Sequence, residues 1–124
     1  MGNRYQQMDI TTATPESLVA KLFQGAIRHA RNAREIGSEG SPADRGRSIT
    51  KAVAIVGELR SSLDHERGGE IATNLERLYD FVIERLTEAN LRRSGEPIDH
   101  ALKVLDTLEE AFSELARRGE RGAA

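Results

Sequence analysis

Leu75-Glu76-Arg77-Leu78-Tyr79-Asp80-Phe81-Val82-Ile83-Glu84-Arg85-Leu86-Thr87-Glu88-Ala89-Asn90 is the stretch from which the fold can be read. Its apolar residues Leu75, Leu78, Tyr79, Val82, Leu86 and Ala89 return every third or fourth position, the spacing of one helical face. Glycine and proline are absent from it. Ile71 extends the same stripe upstream, and Gly68-Gly69 and Gly95 bracket it, so a helix is predicted over 70–93 with Gly95 as its C-cap.

The same pattern recurs outward in both directions. Upstream, Ser41-Pro42 opens a helix over 42–66, with Asp44 placed like the acid of a capping box and a stripe of Ile49, Ala52, Val53, Val56, Leu59 and Leu63. Before it, Thr14-Pro15 opens a helix over 14–36, because threonine caps and proline suits the first helical position. That helix carries Leu18, Val19, Leu22, Phe23, Ala26, Ile27, Ala30 and Ala33, and stops at 37–40. Downstream, Pro97 opens a helix over 97–117 bearing Ile98, Ala101, Leu102, Leu105, Leu108, Phe112 and Leu115; the polar tail 118–124 is expected to fray. Short breaks between long helices favour antiparallel neighbours. The expected fold is therefore all-α, one domain spanning 1–124: an antiparallel up-down four-helix bundle with an extended N-terminal arm. The arm, 1–13, lacks the length and periodicity of a helix, yet it holds Tyr5, Met8 and Ile10 as anchors. It is read as lying over the bundle, against the alternative of a disordered tail.

Bulk composition narrows the function. A chain of 124 residues supports one core. Hydrophobic residues make up 38% and mean hydropathy is −0.52, so that core must be sparingly built. No window approaches the ~20 apolar residues of a membrane span, and the first residues hold no apolar signal-peptide core or myristoylation pattern. No membrane insertion and a cytoplasmic location are expected. Cysteine is absent, which removes disulfides and thiolate metal sites. With 18 Lys+Arg against 20 Asp+Glu, the net charge of −2 gives no reason to expect nucleic acid. Arg28, Arg31 and Arg34 make a basic strip on the first helix, read as a solvated face.

Catalytic constellations are missing from the sequence. His29, His65 and His100 do not follow a glutamate at the spacing of di-iron bundles, and no stripe carries paired carboxylates. The glycine clusters lack the Lys-Ser/Thr of a phosphate loop, and there is no nucleophile motif. No enzyme activity, no cofactor and no metal are expected.

Several apolar residues stand off the main stripes. With about 100° between successive residues, Phe81 and Ile83 flank Val82 on opposite sides, Ile55 flanks Val56 and Val104 flanks Leu105. Such residues either line helix–helix contacts at the bundle's edges or form grooves in which a partner helix docks.

Taken in order, the residues resemble a known family. Tyr5, then Thr12-Ala13-Thr14-Pro15, Leu18-Val19 and Leu22-Phe23-Gln24-Gly25-Ala26, resembles the opening of FliS proteins. Lys51-Ala52, Ile55-Val56, Glu58-Leu59, Leu63-Asp64, Gly69-Glu70-Ile71-Ala72 and Asn74-Leu75 are similar to the family's second helix and its turn into the third. Leu78-Tyr79-Asp80-Phe81, Arg85-Leu86 and Glu88-Ala89-Asn90 resemble its L-Y-x-Y-x-x-x-R-L-x-x-A-N signature, and Glu110-Ala111-Phe112 its last helix. Phe23, Phe81 and Phe112 depart from the family's tyrosines and tryptophan, keeping the ring and losing a polar tip.

The resemblance implies a helical export chaperone that binds the disordered C-terminal region of flagellin, prevents premature polymerisation and presents the client to the flagellar type III export apparatus. The residues themselves then offer Ile55, Leu59, Tyr79, Phe81, Ile83 and Val104 as apolar client contacts, with Arg85 and Asn90 to bond the client's backbone. Tyr5, Met8 and Ile10 become an arm able to lie in a client groove. Further partners on this reading are a flagellar export gate component and a co-chaperone or anti-sigma factor, with the free protein a monomer or weak homodimer. The competing reading is a structural bundle that self-associates through the same grooves and has no flagellin client.

Overall fold

The computed structural model describes residues 14–123, and side chains as far as residue 119. Four helices follow one another: α1 (Pro15–Ile36), α2 (Pro42–Ser61), α3 (His65–Arg92) and α4 (Glu96–Ala123). The described residues contain no strand. α1 packs on α2 and α4, and α3 packs on the same two helices, so the four form an up-down bundle of antiparallel neighbours. The expected arm, with Tyr5, Met8 and Ile10, lies outside the described residues.

Each break has a local cause. Thr14 Oγ1 accepts from the Ser17 N–H at 3.1 Å and Ser41 Oγ from the Asp44 N–H at 3.2 Å, with proline behind each cap. α1 ends on Gly37, whose φ is 70° and whose N–H donates to the Ala33 carbonyl. α2 stops at Ser61, short of the expected 66, because Ser62 and Asp64 intervene. The Ser62 hydroxyl donates to the Glu58 carbonyl at 2.8 Å, and Asp64 Oδ1 accepts from the Arg67 N–H at 3.1 Å to start a new turn. That turn meets the body of α3 at Gly69, where φ is 49° and ψ is −123°, so the expected break survives as a kink. α3 is closed by Arg93 in the left-handed region, not by Gly95. Gly95 serves another end: a Cβ there would stand 2.5 Å from the Arg34 guanidinium, which rests on its backbone. The segment expected to fray is instead part of α4, which runs through to Ala123.

The core is small-residue rich. Ala26, Ala30 and Ala33 of α1, Ala52 of α2, Ala89 of α3 and Ala101 of α4 are fully buried, so backbones approach closely at the end where α1 and α3 finish and α2 and α4 begin. The larger buried side chains are Phe23, Val56, Tyr79, Val82, Leu86, Ile98 and Leu105. Phe23 sits between Tyr79 and Phe112, with ring centroids 6.1 and 5.5 Å away in tilted pairs. One charge goes inside: Arg45, 3% exposed, donates from Nη1 to the Gly37 carbonyl at 2.7 Å, where the carbonyl end of α1 favours a cation.

Candidate partner-binding surface

The four seams between helices differ in what spans them. α1 and α4 are joined along their length by polar bridges. Gln24 Nε2 donates to Glu109 Oε1 at 3.0 Å, Arg31 pairs with Asp106 at 3.3 Å, and Arg34 grips Asp99 with Nε and Nη2 at 2.8 and 3.2 Å. Hydrogen bonds from Ser113 and then Gln24 hold the Glu109 carboxyl below the usual carboxylate range. α2 and α3 are joined by Arg60, which reaches Asp80 at 2.6 Å and Glu76 at 3.6 Å. His65 lies 2.9 Å from the other oxygen of Glu76.

The remaining two seams are open. Among the described residues α1 and α2 share one side-chain bridge, Asn32 Nδ2 donating to Ser48 Oγ at 2.6 Å, and α3 and α4 share none. The helical register places Leu18 and Leu22 of α1 beside Ile55 and Leu59 of α2, and Leu78, Phe81 and Arg85 of α3 beside Val104, Leu108 and Leu115 of α4. Leu18 and Leu22 are 37% and 40% exposed, Leu78 and Phe81 37% and 41%, and Leu115 46%. In a square bundle these two seams face opposite ways. The molecule therefore presents two apolar strips, back to back, parted by two polar seams.

The residues singled out from sequence divide accordingly. Ile55 is half-buried on the α1/α2 seam, and Phe81, Arg85 and Val104 lie on the α3/α4 seam. Arg85 is 3.6 Å from Glu88 on its own helix. Ile83 is half-buried on the opposite flank of α3, toward α2. Asn90 is exposed, with its Oδ1 3.7 Å from where a Cβ on Gly46 would stand. Leu59 and Tyr79 are core residues, 4% and 2% exposed, and underlie the strips instead of forming their surface. Sequence reasoning passed over Leu18, Leu22, Leu78 and Leu115, assigning them to the core. Their signal was position: each stands at a stripe's margin, toward the end of the bundle away from the packed alanines, and is left partly uncovered there.

No group of His, Cys, Asp and Glu suited to a metal occurs among the described residues, and no helix there is long and apolar enough to cross a membrane. Comparison with known proteins gives a family: the one described as "Flagellar protein FliS" matches residues 1–119. The chain belongs to the FliS family. It is 37% identical over 108 residues to the flagellar secretion chaperone FliS of Salmonella typhimurium, covering 86% of this chain and 80% of that one. It is 39% identical over 106 residues to the flagellar secretion chaperone FliSB of Pseudomonas aeruginosa, covering 82% and 84%. The FliS of Bacillus subtilis is 30% identical over 88 residues, covering 71% and 65%. FliS relatives are thus named as chaperones of flagellar secretion, and the four-helix bundle with its open seams is the form that this member of the chaperone family takes.

Proposed function

We propose that this FliS chain is a cytoplasmic export chaperone that holds the disordered C-terminal region of flagellin in its two open seams, blocks premature polymerisation and hands the client to the type III export apparatus. The observation that carries this reading is the pair of apolar strips on opposite faces. A disordered segment loses conformational entropy on binding and needs a large apolar contact to offset it. Two strips supply more contact than one, and a client reaching both must wrap round a polar seam. An extended link of about 10 residues spans roughly 33–36 Å, enough to pass from one face to the other. Ile55, Phe81 and Val104 contribute apolar contact and Arg85 polar contact, and Leu59 and Tyr79 support the surface from beneath; Ile83 and Asn90, on the α2 flank of α3, reach the client only where it crosses the α2/α3 seam.

Calorimetry with the C-terminal peptide of flagellin tests the reading. Phe81→Asp and Leu78→Asp are half-exposed and should leave far-UV circular dichroism unchanged while weakening binding at least about tenfold, the equivalent of about 1.4 kcal/mol. Absence of binding by the unaltered protein, together with concentration-dependent association in light scattering, would favour the self-associating bundle.

A further inference from the structure

The α1/α2 seam changes character along its length. Its lower half is the apolar strip of Leu18, Leu22 and Ile55. Gly25 marks the boundary, where a Cβ would come within 3.3 Å of Ile55 Cδ1. Above that point a cleft of about 810 Å³ extends over the outside of α1 from α2 to α4, and Arg28, His29 and Lys51 are among the residues that line it. None of these three has an ion-pair partner among the described residues, whereas Arg31 and Arg34 on the α4 side of the same helix each hold a carboxylate. Partial burial, then the charges of Arg28 and Lys51, keep the His29 imidazole below its ordinary pKa. The carboxylates bordering the cleft from α4 are engaged, Asp106 by Arg31 and Glu109 by Gln24 and Ser113. Glu35 is the remaining acidic group of the cleft, on the outer face of α1 nearly two turns beyond Arg28.

We infer that the α1/α2 seam takes an amphipathic helix of the client in one direction only, its apolar face on Leu18, Leu22 and Ile55 and its acidic C-terminal turn over Arg28, His29 and Lys51. The bound helix then runs parallel to α1 and antiparallel to α2. This rests on the client-binding reading above and adds polarity and charge to it. A helix gathers partial negative charge, about half an elementary charge, at its carboxyl end, and cations there stabilise it. From Leu18 to Arg28 is about 15 Å along the helix axis, close to three turns. The segment that fits therefore has apolar residues at i, i+4 and i+7, followed by aspartate or glutamate in its last turn. Apolar contact supplies affinity, and the unpaired cations supply direction, since the reversed helix would set its positive end against them.

The full chain can be tested with three synthetic amphipathic helices of one apolar pattern: a glutamate pair in the last turn, the same pair in the first turn, and a lysine pair in the last turn. The first should bind about tenfold tighter than either other at low ionic strength, the gap narrowing with salt. Its binding should raise the His29 pKa followed by NMR. A nitroxide on its C-terminus should broaden the amides of Arg28 to Asn32, and one on its N-terminus those of Leu18 to Leu22. The exposed pair Arg28→Ala and Lys51→Ala should abolish the preference while leaving the apolar contribution. Equal affinities, the opposite broadening pattern or a preference that survives both alanine variants would overturn the inference. Failure of all three helices while the flagellin C-terminal peptide still binds overturns it and leaves the proposed function standing; failure of that peptide as well removes both.

Discussion

Phe23 touches Tyr79 on one side and Phe112 on the other, tying α1 to α3 and α4 across the centre of the bundle. Truncation to alanine leaves a void that surrounding helices cannot close, and should cost about 3–5 kcal/mol. Urea denaturation of Phe23→Ala measures it, and Phe23→Leu should recover much of the loss. Tyr79 gives a pH-dependent counterpart. Burial pushes its hydroxyl pKa up to about 12 from 10.0. Ionisation is thus harder in the folded than in the unfolded protein. The stabilisation is whole below about pH 10 and drains away as pH climbs to about 12. Stability measured by urea titration should fall across that window in the native sequence and stay flatter in Tyr79→Phe. At this scale the sequence was partly legible. Periodicity put Phe23, Val56, Val82 and Leu105 inside, where they are. It put Tyr79 and Leu59 there as well, against their reading as client contacts, but it could not say that Leu22 and Leu78 of the same stripes would emerge, because stripe margins depend on how near the neighbouring helix comes. Nor did any pattern announce Arg45, whose burial depends on the α1 carboxyl end folding back to meet it.

Among the elements, the caps were the clearest text. Thr14-Pro15 and Ser41-Pro42 start helices as their chemistry dictates, and each hydroxyl takes the expected backbone N–H. The turn between α2 and α3 was harder to read, because Gly68-Gly69 and Asp64 both mark boundaries and the structure uses them for different ones. Asp64 begins the helix, and Gly69 bends it at a φ of 49° and ψ of −123°, a conformation that side chains with a Cβ resist. Nothing lies within 4 Å of a Cβ built on Gly69, so the penalty of Gly69→Ala is backbone strain without a clash. That variant should lose about 1–3 kcal/mol in thermal or chemical denaturation. A gain in stability would mean that the turn from His65 to Gly68 readily straightens into α3.

For the whole molecule, antiparallel neighbours followed from short breaks, but the division of seams into bridged and open did not. It depends on which flank of each helix carries opposite charges at matching heights. Arg60 has Asp80 and Glu76 across from it, and Arg34 has Asp99. Such exposed pairs add little stability, because solvent screens them and ordering two long side chains costs entropy. Arg60→Met should therefore shift the denaturation midpoint only slightly, and a loss as large as that of a core truncation such as Phe23→Ala would assign Arg60 a structural weight that exposed pairs lack. Their larger effect is on where a partner can enter, since a polar bridge must be broken before an apolar residue can slip between the helices it joins.

The loops, 37–41, 62–64 and 93–95, give the open seams a mechanical meaning. The polar bridges join α1 to α4 and α2 to α3, which divides the bundle into two pairs of helices, here called jaws. The 62–64 turn stays within one jaw. The two connections that run from jaw to jaw, 37–41 and 93–95, both lie at the alanine-packed end. The bundle is thus built like a pair of tongs with its pivot at that end. The free tips carry Leu18, Leu22, Leu78 and Leu115, and parting them stretches no covalent link. Parting the other end would pull directly on both loops. Amide exchange should reveal the difference as earlier loss of protection near Leu22 and Leu78 than near Ala33 and Ala89, a gradient that a uniformly rigid cylinder would not show.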